Sequence, residues 1–258
     1  MDKIFAGITF KDAGTALLDL AMPRRCVVCR EPLMLHERFI CLSCLCDLPL
    51  THYWERTHNP MADKFNERIQ ESLPDDDAVH EPYAFAAALF FYNSESPFKR
   101  IPRHLKYEGG RASGRYFAKM LGECLAASEQ FADVDIIVPV PLHWTRYWKR
   151  GYNQAEVIAS ALAEEYGGRA SVRTDILRRS RRTMTQTRVS VEGKSANVSG
   201  AFSLRPVRRQ QGTAPKHILL VDDTFTTGAT LNACRTALRG RFGQDVRISV
   251  ATLAFVNA

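Results

Sequence analysis

The chain has 258 residues, with 35 Lys and Arg against 28 Asp and Glu for a net charge of +7, 45% hydrophobic residues and 24% charged ones. These are the values of an ordinary folded protein, and they exclude disorder, a collagen-like repeat and a coiled coil. The length predicts one large domain, or a medium domain with a small one, and no run reaches the roughly 20 apolar residues of a membrane span.

Met1–Arg25 carries Asp2, Asp12 and Asp19 and lacks a basic start followed by an apolar core, so it does not read as a signal peptide. A cytoplasmic location without membrane insertion is expected. Phe10, Ala13, Leu17, Leu18 and Ala21, at helical spacing, predict an amphipathic helix over Ile8–Met22 that stops at Pro23. Five of the seven cysteines then fall within Cys26–Cys46. Such a tight cluster in an intracellular chain holds metal more often than it forms a disulfide framework. Cys26, Cys29, Cys41 and Cys44 make two Cys-x-x-Cys knuckles separated by eleven residues, which lets four thiolates meet on one Zn²⁺. Cys46 can stand in for Cys44, and His36 and His52 are fallback ligands. A closed four-thiolate site has no open position, so its expected role is structural or adaptor-like. Cys124 and Cys234 read as small buried hydrophobes.

After Pro49 the hydrophobic density falls, Pro60, Pro74 and Pro82 interrupt the chain, and Asp75, Asp76 and Asp77 follow one another. This stretch reads as linker or irregular cover. The expected organisation is a small unit over 1–55, a linker over 56–80 and a main unit over 81–258. In the main unit, a strand or strand pair is expected at Tyr83–Tyr92, and strands at Val134–Val140, His217–Val221 and Arg247–Val256. Helices are expected at Pro97–Leu105, Ala112–Ala127, Asn153–Tyr166 and Ala229–Leu238. Short apolar strands alternating with helices predict an α/β fold whose mainly parallel sheet is covered on both faces and binds ligands at the carboxyl ends of its strands.

The loop after Val221 carries the strongest signal. Asp222 and Asp223 arrive at the edge of a buried strand, followed by Thr224, Thr226, Thr227, Gly228, Ala229 and Thr230 at a helix start. Helix amides and Thr hydroxyls form an anion cradle suited to a phosphate monoester, and Gly228 allows close backbone approach. The two carboxylates would repel a phosphate directly, but suit sugar hydroxyls or a water-bridged Mg²⁺. A Walker A loop is excluded, because no Gly-Lys-[Ser/Thr] follows. Ile218–Thr230 resembles the 5-phosphoribosyl-1-pyrophosphate (PRPP) motif of type I phosphoribosyltransferases. The resemblance implies that Asp222 and Asp223 contact the ribose hydroxyls, that Thr226–Thr230 hold the 5′-phosphate, and that Mg²⁺ comes chelated by PRPP. Thr226 stands where 6-oxopurine enzymes carry a base-contacting Asp, which argues against hypoxanthine or guanine.

On the pyrophosphate side, Pro139, Val140 and Pro141 stiffen the end of another strand, and Arg146, Lys149 and Arg150 follow. Arginine forks match phosphate oxygens, and Arg146 and Arg150 are expected near a pyrophosphate three strands from its ribose; a solvated helix face explains them nearly as well. Asn153 reads equally as a helix N-cap. From Arg173 to His217 there are 11 basic residues against Asp175 and Glu192. This region either closes over a polyanionic substrate or contacts single-stranded DNA.

The order of blocks resembles the ComF-type competence proteins, also called amidophosphoribosyltransferase-like. The match rests on Leu105–Gly109, Val138–Leu142, Arg150–Ala155, Thr185-Gln186-Thr187, Asn197-Val198 with Gly200-Ala201-Phe202, and Leu220–Thr230. It implies a type I phosphoribosyltransferase fold, an N-terminal zinc finger, and a link to uptake or processing of transforming DNA. The functional expectation is a PRPP-binding, Mg²⁺-dependent phosphoribosyltransferase, with Asp222, Asp223, Arg146 and Arg150 as its catalytic set. The alternative is a non-catalytic adaptor that senses PRPP, binds single-stranded DNA, or docks a helicase-like partner through its finger. No aromatic box or acid–base pair in the sequence marks an acceptor.

Overall fold

The computed structural model describes residues 23–73, 81–107, 110–180, 200–206 and 215–256. The expected helix Ile8–Met22, the Asp75–Asp77 run, Glu108-Gly109, most of the basic region and its Thr185-Gln186-Thr187 and Asn197-Val198 blocks lie outside the described residues.

Five parallel strands form the sheet, in the order β1-β7-β6-β2-β3: β1 is Ala86–Tyr92, β2 Ile136–Pro139, β3 Ser171–Val172, β6 His217–Phe225 and β7 Arg247–Val256. A small antiparallel hairpin, β4 (Leu177–Arg179) with β5 (Phe202–Leu204), stands apart from it. The central strands are buried on both faces, as their unbroken apolar runs require. Strand alternation divides the core. Leu219, Val221, Ala251 and Leu253 face α4 (Arg111–Ala126) and α6 (Gln154–Glu165), packing with Phe117, Leu121, Ile158 and Leu162. Ile218, Leu220 and Val250 face α7 (Ala229–Phe242) and the hairpin, packing with Leu231, Cys234, Leu238, Leu177 and Phe202.

The strand order places a switch point. From β2 the chain moves outward to β3, and from adjacent β6 it moves the other way to β7. Right-handed crossovers in opposite directions put α6 on one face and α7 on the other. The loops leaving β2 and β6 therefore diverge at the carboxyl edge, the position at which open α/β sheets take ligands. This architecture, a mainly parallel sheet flanked by helices with an N-terminal cysteine cluster, is consistent with the type I phosphoribosyltransferase-like fold expected from the sequence.

Several elements differ from expectation. Within 56–80, an 11-residue helix, α2 (Pro60–Gln70), replaces irregular chain, and it buries Met61, Ala62, Phe65 and Ile69. Pro60 stands in its first turn, where a missing N–H costs nothing, and the Asn59 side chain accepts from the Met61 and Ala62 amides. The Asn59 amide also donates to Ala86 O at 3.1 Å, tying the helix start to β1. Asn59→Ala is expected to lower stability by about 2 kcal/mol, read as a lower denaturation midpoint at unchanged slope. A second unexpected helix, α5 (Trp144–Arg150), follows β2. Strand β6 continues to Phe225, past the expected end at Val221, because β7 supplies ladder partners as far as Phe255.

The cysteine module, which holds the short helix α1 (Leu42–Cys46), is continuous with this core. Val27, Val28, Leu33, Ile40 and Leu48 are buried in the same cluster as Ile101, Leu105 and Phe117 of α3 (Arg100–Tyr107) and α4. Arg100 donates to the Val28 carbonyl across the junction. Leu50 bridges Phe90 of β1. Among the described residues no helix is long and apolar enough to cross a membrane.

Candidate functional site

The site is assembled at the switch point. Asp222 and Asp223 are consecutive strand residues, so their side chains leave the sheet on opposite faces. Asp223, only 7% exposed, meets Lys106 at the end of α3, with Nζ 2.9 Å from Oδ1. Burial alone would lower the Lys106 pKa, but the Asp223 carboxylate outweighs it and holds the ammonium above its usual range. Tyr92, ending β1, lies in the same field; burial pushes its phenol up.

On the other face Asp222 is part-buried, and its pKa is pushed up to about 7. Burial is the main cause and the neighbouring Asp223 charge the second; the Asp223 amide, donating to Asp222 Oδ1 at 2.8 Å, together with Lys106 and Arg179, opposes the shift. Arg179 of β4 has a lowered pKa, through burial and then the positive charge of Arg146, with Asp222 acting against both. Two acids and three cations thus converge from β4, β6, α3 and α5. The sequence reading missed Lys106, Arg179 and Tyr92 as site residues. Only the Leu105–Gly109 block hinted at Lys106.

Beyond Phe225 the chain turns through Thr226 and Thr227 into α7. Gly228 has φ 72°, the left-handed region that favours glycine, and a Cβ there would lie 2.9 Å from Phe225 Cζ and 3.3 Å from Phe65 Cδ2. Turn geometry and core packing thus demand glycine at this position. Gly228 gives α7 no side-chain cap, and Thr227 Oγ1 lies a long 3.5 Å from the Ala229 amide. Thr226, Thr227 and Thr230 are part-buried beside this turn, as Thr224 is within β6, and Ala229 is buried. The positive end of the α7 dipole lies at the same carboxyl end of β6 as the two acids.

Adjacent β2 pairs Pro139 with Val221, and Val140 N donates to Val221 O at 2.9 Å. The Pro139–Pro141 turn therefore lies one strand from the acids, and the expected three-strand separation is corrected. Asn153 caps α6 and donates to Val140 O at 3.0 Å, which fixes this turn. Arg150 does not reach the acids: its guanidinium lies 5.1 Å over the Tyr107 ring and donates to Gln154 Oε1 at 3.0 Å.

In the N-terminal module, the sulfurs of Cys26, Cys29, Cys41 and Cys44 lie within 4.8 Å of one another, while Cys46 is exposed and outside the group. The choice left open between Cys44 and Cys46 falls to Cys44. Amides of Val28 and Cys41, each 3.4 Å from Cys26 Sγ, donate to that sulfur; against the effect of burial, such donors lower its thiol to about 7. Four clustered thiols with amides aimed at sulfur can hold a structural metal and are compatible with Zn²⁺.

One other constellation has the form of a catalytic triad. His217 lies 2.6 Å from Asp133 Oδ1 through Nδ1 and 2.8 Å from Ser249 Oγ through Nε2. It sits at the amino end of β6 and β7, His217 and Ser249 are fully buried, and Ser249 Oγ also accepts the Phe85 amide. A hydroxyl enclosed in this way has no path to a substrate, so the chain of bonds ties strands together.

No family model matches the chain. It is 25% identical over 235 residues to competence protein F of Haemophilus influenzae, spanning 87% of this chain and 94% of that protein. It is 27% identical over 228 residues to the DNA utilization protein YhgH of Salmonella typhimurium, spanning 82% and 89%. It is 31% identical over 161 residues to competence protein ComFC of Streptococcus pneumoniae, spanning 62% and 64%. Over most of its length the chain is therefore similar to proteins named for competence and for DNA utilization.

Proposed function

We propose that the chain is a PRPP-binding, phosphoribosyltransferase-like protein that takes its ligand with Mg²⁺ at the β2/β6 switch point and serves the use of DNA in competence. The convergence of Asp222, Asp223, Lys106, Arg179 and Arg146 beside the uncapped start of α7 carries this reading. The 5′-phosphate takes the α7 amides and the hydroxyls of Thr226, Thr227 and Thr230, where the dipole favours an anion. Asp222 and Asp223 accept hydrogen bonds from the ribose hydroxyls. Lys106 leaves Asp223 for a phosphate oxygen as they do so, and Arg146 and Arg179 balance the negative charge of the pyrophosphate beside the Pro139–Pro141 turn. Asp222, through a water, would help hold the Mg²⁺ that comes chelated by PRPP, and the ion would supply charge neutralisation to the pyrophosphate. Arg150, stacked on Tyr107, is a weaker candidate for pyrophosphate contact than Arg146.

Calorimetric titration with PRPP and Mg²⁺ tests the reading. One saturable site is expected, and Asp223→Asn should weaken it by roughly 10- to 100-fold, the worth of a charge-assisted hydrogen bond. Absence of heat from a folded sample, or an affinity unchanged by the substitution, would overturn it.

A further inference from the structure

The exposed aromatic surface of α5 has no part in this reading. Its sequence, Trp144-Thr-Arg-Tyr-Trp-Lys-Arg150, leaves Trp144 66%, Tyr147 47% and Trp148 83% exposed. With Tyr107, 64% exposed beneath the Arg150 guanidinium, these make four of the seven large exposed hydrophobic side chains among the described residues. Leaving indoles in water forgoes the burial that large aromatics otherwise gain, so such clustering marks an interaction surface. The same helix carries Arg146, Lys149 and Arg150, and no carboxylate occurs from Ile136 to Ala155.

We propose that α5 is a binding platform for single-stranded nucleic acid, with bases stacked on Trp144 and Trp148 and phosphates held by Lys149 and Arg150. Four residues apart on one helix, the two indoles share a face and are offset by about 6 Å along the axis. Flat rings interleaved with cations meet the two surfaces that a single strand presents, unpaired bases and a polyanionic backbone. A duplex hides its base faces and cannot use the indoles. A lipid surface would also draw tryptophan and cations, but it needs a broad aliphatic face, and the stretch His143–Gln154 contains no aliphatic residue. Helix α5 leaves the Pro139–Pro141 turn at the carboxyl edge of β2, so a strand lying on it is led toward the sheet edge that carries Asp222 and Asp223.

The protein reports on this surface by its own fluorescence. It has three tryptophans, and the third, Trp54, is buried. Titration of the full chain with an oligothymidylate of about 12 nucleotides should quench the emission saturably, with affinity falling as salt rises. In the Trp144→Ala/Trp148→Ala double variant, binding read by anisotropy of a labelled oligothymidylate should drop about 30-fold or more, with the thermal melt confirming folding. PRPP and Mg²⁺ titration of the same variant should give unaltered heat, which separates this platform from the sugar-phosphate site. Undiminished anisotropy in the double variant would place nucleic-acid binding elsewhere and overturn the proposal. So would failure of the oligonucleotide to bind the intact protein, or quenching by phosphatidylglycerol vesicles with none by oligothymidylate.

Discussion

Replacing Cys41 by Ser, or stripping metal with a strong chelator, is expected to lower the melting temperature of the whole chain by about 10 °C or more. Structural zinc contributes roughly 10–16 kcal/mol of apparent binding free energy at neutral pH, much of it folding free energy because the four ligands are not assembled in the unfolded chain. Here that energy would not be confined to a separate module. Val27, Val28, Ile40 and Leu48 lie in one cluster with Leu105 and Phe117, so loosening the knuckles exposes the flank of α3 and removes a wall of the main core. Losing even 4 kcal/mol moves the melting temperature by about 8–16 °C, at the roughly 2–4 °C per kcal/mol of a domain this size. The checks are elemental analysis, with one zinc per chain expected, and paired melts with and without chelator. A metal-free chain whose melt does not move would show the four thiols to be a packed cluster and not a metal site. Because α3 also delivers Lys106 to Asp223, the same treatment should weaken PRPP binding.

How much of this was legible in the sequence depends on whether the signal was local. β2, β6 and β7 are continuous apolar runs, and the cysteine knuckles and Asp222–Thr230 are each written within a few residues. Helix α2 was missed because its mean hydropathy is low, yet Met61, Phe65 and Ile69 fall at i, i+4 and i+8, and Asn59-Pro60 is a helix start. Helix α5 has no apolar face to reveal it. Its marks are terminal: His143 accepts from the Thr145 amide, and Gly151 closes it at φ 75°. What no local pattern encodes is the company of the acids. Lys106 and Asp223 are 117 positions apart and meet because α3 and the end of β6 share one face of the sheet. Arg179 comes into the field of Asp222 only because a hairpin packs over the opposite face. The strand order, which sets the β2/β6 switch point, likewise became visible only in the fold.

Asp222→Asn should stabilise the protein at alkaline pH while weakening its ligand binding, and this pairing distinguishes a functional acid from a structural one. The Asp222 pKa is pushed up to about 7 in the folded chain, chiefly by burial and then by Asp223, against about 3.9 unfolded. Between those values the unfolded state has already released the proton and the folded state still holds it. The folded state therefore binds more protons, and stability falls as pH rises from about 4 to 7. Three units set a ceiling of about 4 kcal/mol; solvent reaching the part-buried carboxylate and its coupling to Asp223 reduce this to roughly 1–3 kcal/mol. Asparagine keeps the shape and the acceptor oxygen but not the charge. At pH 8 its unfolding midpoint should exceed that of the parent chain, and the gap should close at pH 4, where Asp222 is protonated in both folded and unfolded chains to a large extent. Denaturant titrations at the two pH values measure this directly. A structural carboxylate satisfied by Arg179 would give the opposite sign, with the substitution destabilising most at pH 8. If instead the gap opens as expected and PRPP titration of the variant shows weakened binding, the unfavourable burial of Asp222 is explained by what it does for the ligand: a carboxylate held near neutrality at the carboxyl edge of the sheet gains its charge when a sugar hydroxyl, or a water on Mg²⁺, arrives to meet it.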